Sequence, residues 1–351
     1  MKSKKWIKIF LIVLLLGVFQ PLLSILTNPY LTMQPDNYYE QEPNQNFLKV
    51  KYILENKNKY DSFIFGSSRV GKIDPKLFKH NKCYNMTYSE GIPYEHLLNI
   101  KLFLKEGVKI KNIFIGLDDF SYEVNPRQHF QEPMRKPHYL ASGESSLNFY
   151  SVYKNLSHSH FLTNRNNYYD INNTGMPLVP KEVTTYIETH KEAHNLDPKF
   201  LKPTHYEGNR INDTIITIKE IIKLSKENNI NIIFFINPIH KITYLDTNFE
   251  NFQNFKKELS NITPYYDFSG LNSITKNNYY YYETSHYRLI VGKLIATRIL
   301  NDTSINVPKD FGVFVTKDNI EAHLMNLCIQ REKYRITHPK DIAEIEALKK
   351  K

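Results

Sequence analysis

Five short apolar segments, separated by stretches of helical periodicity, constrain this chain more than any other feature. They are Ser62–Phe65 (SFIF), Cys83–Met86, Lys111–Gly116 (KNIFIG), Ile230–Ile236 (INIIFFI) and Tyr265–Phe268. The INIIFFI run is apolar on both faces, as a central strand of a parallel sheet must be. The intervening patterns fall at 47–58, 93–106, 213–226 and 287–300, the second opening on Pro93, which suits the first turn of a helix. Such alternation predicts an α/β fold, a parallel sheet covered by helices. No internal repeat is visible. One connection is out of proportion: residues 121–212, rich in Asn, Tyr, His and Pro, separate the third strand from the fourth unit. Ordinary connections are a few residues long, so this segment reads as an insertion over the active edge, a lid or a substrate-binding surface.

The N-terminus carries a second constraint. MKSKK and Lys8 precede FLIVLLLGVFQPLLSIL, and Trp6 to Leu26 contains one charge, near its start. That is about the 20 residues that span a bilayer core. No Lys or Arg follows until Lys49, so the positive-inside rule predicts a cytoplasmic N-terminus and a domain on the far side. A cleaved signal peptide is the alternative, but its apolar region would be long and no small-x-small site follows. The expected layout is a single-pass transmembrane anchor (1–28), a proline-bearing linker (29–45), an α/β domain (46–303, insertion 121–212) and a C-terminal helical tail (304–351). The bilayer, contacted through residues 6–26, is an expected partner, and the tail suits either packing or partner binding.

Composition adds limits. The chain is 41% hydrophobic and 13% aromatic, with 25 Tyr and 21 Phe, enough for a sizeable core. Its formal net charge of +10 is spread over scattered lysines, which fits solvated helix faces or attraction to an anionic surface. No nucleic-acid-binding motif is present. Cys83 and Cys328 are too few for a disulfide scaffold and too far apart in sequence for a metal knuckle; their pairing is open. His158 and His160 lack a carboxylate or cysteine cluster beside them, so no metal and no cofactor is expected.

The chemistry-bearing residues sit where the first strand and the last helix meet loops. Gly66-Ser67-Ser68-Arg69 follows the first strand directly, and catalytic groups of open α/β sheets lie beyond the carboxyl ends of strands. A glycine there permits a sharp turn that exposes a serine hydroxyl, although a plain turn or helix cap has the same composition. More than two hundred residues later, Glu283-Thr284-Ser285-His286 precedes the closing helix. A carboxylate three residues before the histidine can bend back to its Nδ1–H and leave Nε2 to take a proton from serine. Arg69 could clamp a substrate phosphate or carboxylate or form a structural ion pair. His240, past the fourth strand, could contact substrate or be an ordinary loop histidine. Tyr279–Tyr282 fit strand core, and Tyr168 and Tyr169 are freer to stack on sugar rings.

These blocks, in order, resemble the SGNH (GDSL-like) hydrolase superfamily: Gly66-Ser67-Ser68 after the first strand, Gly91 after the second, Gly116-Leu117-Asp118-Asp119 after the third, and Glu283-x-x-His286 before the last helix. The likeness covers roughly residues 60–303 without the insertion. It is closer to the membrane-anchored bacterial branch of D-alanyl transfer proteins and polysaccharide O-acetyl transferases and esterases. The resemblance implies a flavodoxin-like three-layer fold and a serine esterase or acyltransferase acting on an acylated envelope glycan or glycolipid, with a membrane acyltransferase as a further partner. Ser68 would be nucleophile, His286 base and Glu283 its orienter; Gly91 and the backbone N–H of Ser68 would serve as oxyanion donors. Two positions depart from the pattern. Glu283 replaces the usual aspartate, and Asp118 stands where the family offers asparagine. An ionised carboxylate cannot donate to an oxyanion and would repel it, which leaves open a catalytically impaired protein that binds carbohydrate or a partner acyltransferase.

Overall fold

The computed structural model describes residues 2–27, 43–79, 81–152 and 169–349. Six strands form one sheet in the order β2-β1-β3-β4-β5-β6. They are β1 Ser62–Phe65, β2 Cys83–Asn85, β3 Asn112–Leu117, β4 Asn231–Ile236, β5 Tyr265–Asp267 and β6 Val313–Val315. The first five are parallel and β6 runs antiparallel to β5. The chain moves outward from β1 to β2, returns across β1 to β3, and then proceeds to β5. That order places a topological switch at the carboxyl ends of β1 and β3, where open α/β sheets bind ligands.

Burial on both faces explains why these segments became strands. Phe63 and Phe65 point into one core with Ile113, Ile115, Phe234 and the helix faces of Leu97, Ile100, Ile218 and Phe255. Ile64, Phe114 and Phe235 point into the other with Val291 and Ile295 of the helix Leu289–Ile299. The alternation along each strand is the pleat, and both faces are apolar because helices cover both.

The expected membrane anchor is corrected. A helix runs over Lys2–Thr27, but among the described residues no helix is long and apolar enough to cross a membrane. Its described side chains run from Lys4 to Phe19. The single-pass anchor, the bilayer contact through residues 6–26 and the placement of the domain by that anchor are withdrawn together. The tail, expected to be helical, supplies the helices Ile320–Thr337 and Pro339–Lys349 and, before them, β6. Ile320, Leu324, Leu327, Tyr334 and Ile345 join the larger core, so the tail packs as part of the domain.

Residues 29–42 of the expected linker lie outside the described residues, as do Tyr168, His158 and His160. At the end of that linker Asn44 already caps the helix Gln45–Glu55, its Oδ1 accepting from Phe47 N at 2.9 Å. Both cysteines are free, Cys83 buried and Cys328 exposed.

Candidate active site

Gly66 ends β1 with a φ of +149°, a conformation that favours glycine, and a Cβ there would meet Val70 Cγ2 at 2.5 Å. The chain therefore turns at once into Ser67, Ser68 and the 3₁₀ turn Val70–Lys72. This turn lifts Ser68 to the sheet's carboxyl edge. Its Oγ lies 2.8 Å from His286 Nε2 across 218 residues of sequence. Glu283 Oε1 contacts His286 Nδ1 on the opposite side of the ring.

The loop that bears His286 is braced at its base. Tyr281 and Tyr287 form an isolated antiparallel bridge, and Tyr282 N donates to His286 O at 2.8 Å. Both tyrosine rings are fully buried; their hydroxyls donate to Pro238 O at 3.2 Å and to Asn237 Oδ1 at 3.2 Å. Within the loop the Glu283 carboxylate accepts from Ser285 N at 2.5 Å and His286 N at 2.9 Å. Burial alone would raise the Glu283 carboxyl. The hydrogen bond and charge of His286, with the two backbone donors, instead hold it at about 2. Its extra methylene relative to aspartate is accommodated by the loop: one oxygen serves the ring and His286 N, the other Ser285 N.

Arg69 and Asp118 do something other than their sequence positions suggest. Arg69 is wholly buried, its Nη1 donating to Asp118 Oδ1 at 3.0 Å and Asp119 Oδ1 at 2.6 Å, its Nε to Ser285 O at 3.1 Å. Asp118 Oδ1 also accepts from Asn237 Nδ2 at 3.0 Å, and its backbone N–H donates to Ser121 Oγ at 2.8 Å. Burial pushes the Asp118 carboxyl up, against the pull of Arg69. Neither side chain lines the cleft that holds Ser68 and His286. Ser67 and Arg69 flank Ser68, and Ser285 and Tyr287 flank His286. Ser67, Arg69 and Tyr287, with the Ser285 carbonyl, belong to the buried network while Ser68 and His286 face the cleft. The feared repulsion between Asp118 and an oxyanion is thereby relieved, and Arg69 is unavailable as a substrate clamp.

Gly91 also has a different role from donor. Its N–H donates to Tyr88 O at 3.2 Å, and a Cβ on it would sit 2.5 Å from Gly66 O. It is glycine because the β2 loop presses on the backbone of the nucleophile turn. Gly91→Ala is expected to destabilise the protein by about 1–3 kcal/mol through overpacking, read as a lower denaturation midpoint; an unchanged midpoint would show that the two loops do not touch. His240 is buried, its Nε2 2.9 Å from Asn278 Oδ1, its Nδ1 accepting from Ile242 N at 3.3 Å as a cap of the helix Lys241–Asp246. Burial lowers its imidazole to about 4. It supports the floor of the His286 loop and does not reach the cleft.

The cleft encloses about 640 Å³. Ser68, His286 and Glu283 lie in its wall with Lys72 and Tyr282. Gln45, Thr87, Ser89 and Tyr169 line it as well, and Pro177 to Pro180 with Val183 make an apolar wall. That wall comes from the long insertion, which therefore does reach the active edge. Among the described residues the backbone N–H groups of Ser68 and Ser89 donate no hydrogen bond within the protein, leaving them uncommitted. Sequence reasoning missed Lys72, Thr87 and Ser89; their signal was proximity to Gly66 and Gly91, two to six residues away. No cluster of three metal-ligating side chains occurs among the described residues. No protein-family model matches the chain, and no curated protein matches it.

Proposed function

We propose that this protein is a serine esterase or acyltransferase of the SGNH type, acting on an acylated glycan or glycolipid. One observation carries the reading: Ser68 Oγ at 2.8 Å from His286 Nε2, with Glu283 on the far ring nitrogen. Few arrangements of polar groups in a cleft deprotonate an alcohol, and this is the geometry that does.

In the first half-reaction Ser68 Oγ attacks the ester carbonyl as its proton passes to His286 Nε2. The Glu283 carboxylate keeps the other ring proton on Nδ1 and faces the imidazolium that forms. The tetrahedral oxyanion takes hydrogen bonds from uncommitted donors on the cleft wall, for which the N–H groups of Ser68 and Ser89 are available. Collapse breaks the ester C–O bond, and the departing alkoxide takes the proton back from Nε2. The acyl group then rests on Ser68. Water attacking it completes hydrolysis; a sugar hydroxyl completes transfer. The hydroxyl, amide and aromatic groups of Gln45, Thr87, Ser89, Tyr169 and Tyr282 suit a hydroxyl-rich substrate. The rival reading of an impaired binding protein leaned on Asp118 and Glu283. Asp118 lies outside the cleft wall and Glu283 contacts His286, so no observation favours it.

The test is incubation of the protein with a fluorophosphonate probe and with 4-nitrophenyl acetate. Ser68→Ala is expected to abolish labelling and to lower ester turnover by a factor of about 10³ or more. Equal behaviour of wild type and variant in both assays would remove the proposal.

A further inference from the structure

Lys72 is the feature of this cleft that acid–base chemistry leaves without a task. It follows Ser68 by four residues and ends the 3₁₀ turn Val70–Lys72. Its position is fixed by packing: a Cβ on Gly292 of the closing helix would lie 2.0 Å from the Lys72 carbonyl oxygen, so the helix backbone abuts this turn. The side chain enters the cleft beside Ser68, His286 and Glu283. Among the described residues its ammonium forms no hydrogen bond or ion pair; it lies over the face of Tyr282, with Nζ 5.4 Å from the ring centroid. Glu283, the carboxylate whose field it feels, is already engaged with the His286 ring and two backbone N–H groups. Burial lowers the Lys72 ammonium to about 8, with Glu283 acting in the opposite direction.

A largely enclosed ammonium with no counter-ion is costly to the free protein. In a cleft open to ligands, the partner that repays the cost is an anion. Among the described residues that line the cleft, Lys72 is the sole lysine or arginine, and Arg69 is occupied elsewhere. The opposing wall of prolines, Leu178, Val179 and Val183 offers nothing to a charged group, so recognition of charge falls to one residue.

We infer that Lys72 is an anion subsite beside the nucleophile, and that the preferred substrate is an ester bearing a carboxylate or phosphate close to its scissile carbonyl. The inference rests on the esterase or acyltransferase reading of Ser68 for the word substrate, and on the cleft alone for the anion.

Two measurements separate those dependencies. In the first, the Ser68→Ala protein, which cannot turn over, is titrated calorimetrically with inorganic phosphate and, separately, with succinate. Saturable binding of one or both is expected, weakened about tenfold or more when Lys72→Met is added, the scale of a hydrogen bond to a charged group. The two titrants distinguish a phosphate from a carboxylate source. Binding by neither, or equal binding with and without Lys72, overturns the inference. In the second, kcat/KM is compared for neutral 4-nitrophenyl acetate and monoanionic 4-nitrophenyl succinate. The anionic-to-neutral ratio is expected to fall about tenfold or more in Lys72→Met, mainly through KM, and to invert toward a cationic ester in Lys72→Glu. In wild type the same ratio should decline as pH rises through about 8, where Lys72 loses its proton while Glu283, held at about 2, stays ionised. An unchanged ratio in both variants sinks the subsite while leaving Ser68 chemistry intact. Absence of all turnover and labelling sinks the enzyme reading, and the titrations then still decide Lys72.

Discussion

Arg69→Met will destabilise this protein by about 3–5 kcal/mol, the cost of leaving a buried ion-pair partner uncompensated, and will lower its melting temperature by about 4–7 °C. The side chain is 1% exposed and lies between two carboxylates that are themselves buried. Methionine fills much of the volume but supplies no charge and no donor. Asp118 and Asp119 then face each other without a cation, and Ser285 O loses its partner. The pH dependence has a definite sign. Burial already pushes the Asp118 carboxyl up, and removal of the guanidinium pushes it further. A carboxyl whose folded value exceeds its unfolded value contributes most below the unfolded value and loses that contribution as pH rises through the folded one. The deficit of Arg69→Met should therefore be smallest near pH 4 and grow toward neutrality. Adding Asp118→Asn should recover part of the loss, because it removes one of the two orphaned charges. A melting temperature within about 2 °C of wild type would contradict the buried network. Turnover should fall as well, since Ser285 adjoins His286 and Arg69 adjoins Ser68.

The sheet was legible because its strands are buried on both faces and so read as unbroken apolar runs. β6 was not legible: Val313 and Phe314 are exposed and only Val315 is buried. Three residues with that pattern carry no periodicity, and their pairing with Tyr265–Asp267 is a long-range event. The N-terminal segment read as a span because of its run of leucines and isoleucines, whereas among the described residues no helix is long and apolar enough to cross a membrane. The positions of Ser68, Glu283 and His286 were legible because strand ends and the residues before a closing helix share one rim in a parallel sheet. Side-chain direction was not. Asp118 occupies the place in the chain where a donor was expected, yet it faces Arg69, one strand over on the same edge. The adjacency of β1 and β3 held a hint, because opposite charges at the ends of paired parallel strands meet naturally. Lys72 stood hidden among 46 lysines and arginines; what singles it out is enclosure without a counter-ion, a property of packing that spacing does not encode.

The second large effect concerns Glu283. Glu283→Gln preserves length and, with its oxygen toward Ser285 N, keeps that hydrogen bond while giving up the one from His286 N, so the loop should keep its shape, with a lower melting temperature near neutrality where the carboxylate's contribution is missing. Chemistry should change a great deal. An amide can present its NH₂ to His286 Nδ1, which then acts as acceptor and leaves the proton on Nε2, the nitrogen that must be free to receive one from Ser68. The amide also carries no charge against the imidazolium. In the serine-histidine-carboxylate arrangement this change costs about 10⁴ in kcat. Here the loss is expected in kcat and in the rate of phosphonate labelling, with KM nearly unaltered. Linkage gives an independent check. Burial would raise the Glu283 carboxyl, yet His286 and the two N–H donors hold it at about 2 in the folded protein, below its ordinary 4.5. A depressed carboxyl contributes stability above the unfolded value and loses it as pH falls through the folded one. Wild type should thus shed this contribution between about pH 4.5 and 2, and Glu283→Gln should not. If the variant turns over within tenfold of wild type while the acid stability difference appears as described, the carboxylate is a brace for the loop alone, and orientation of His286 must come from the tyrosine bridge at its base.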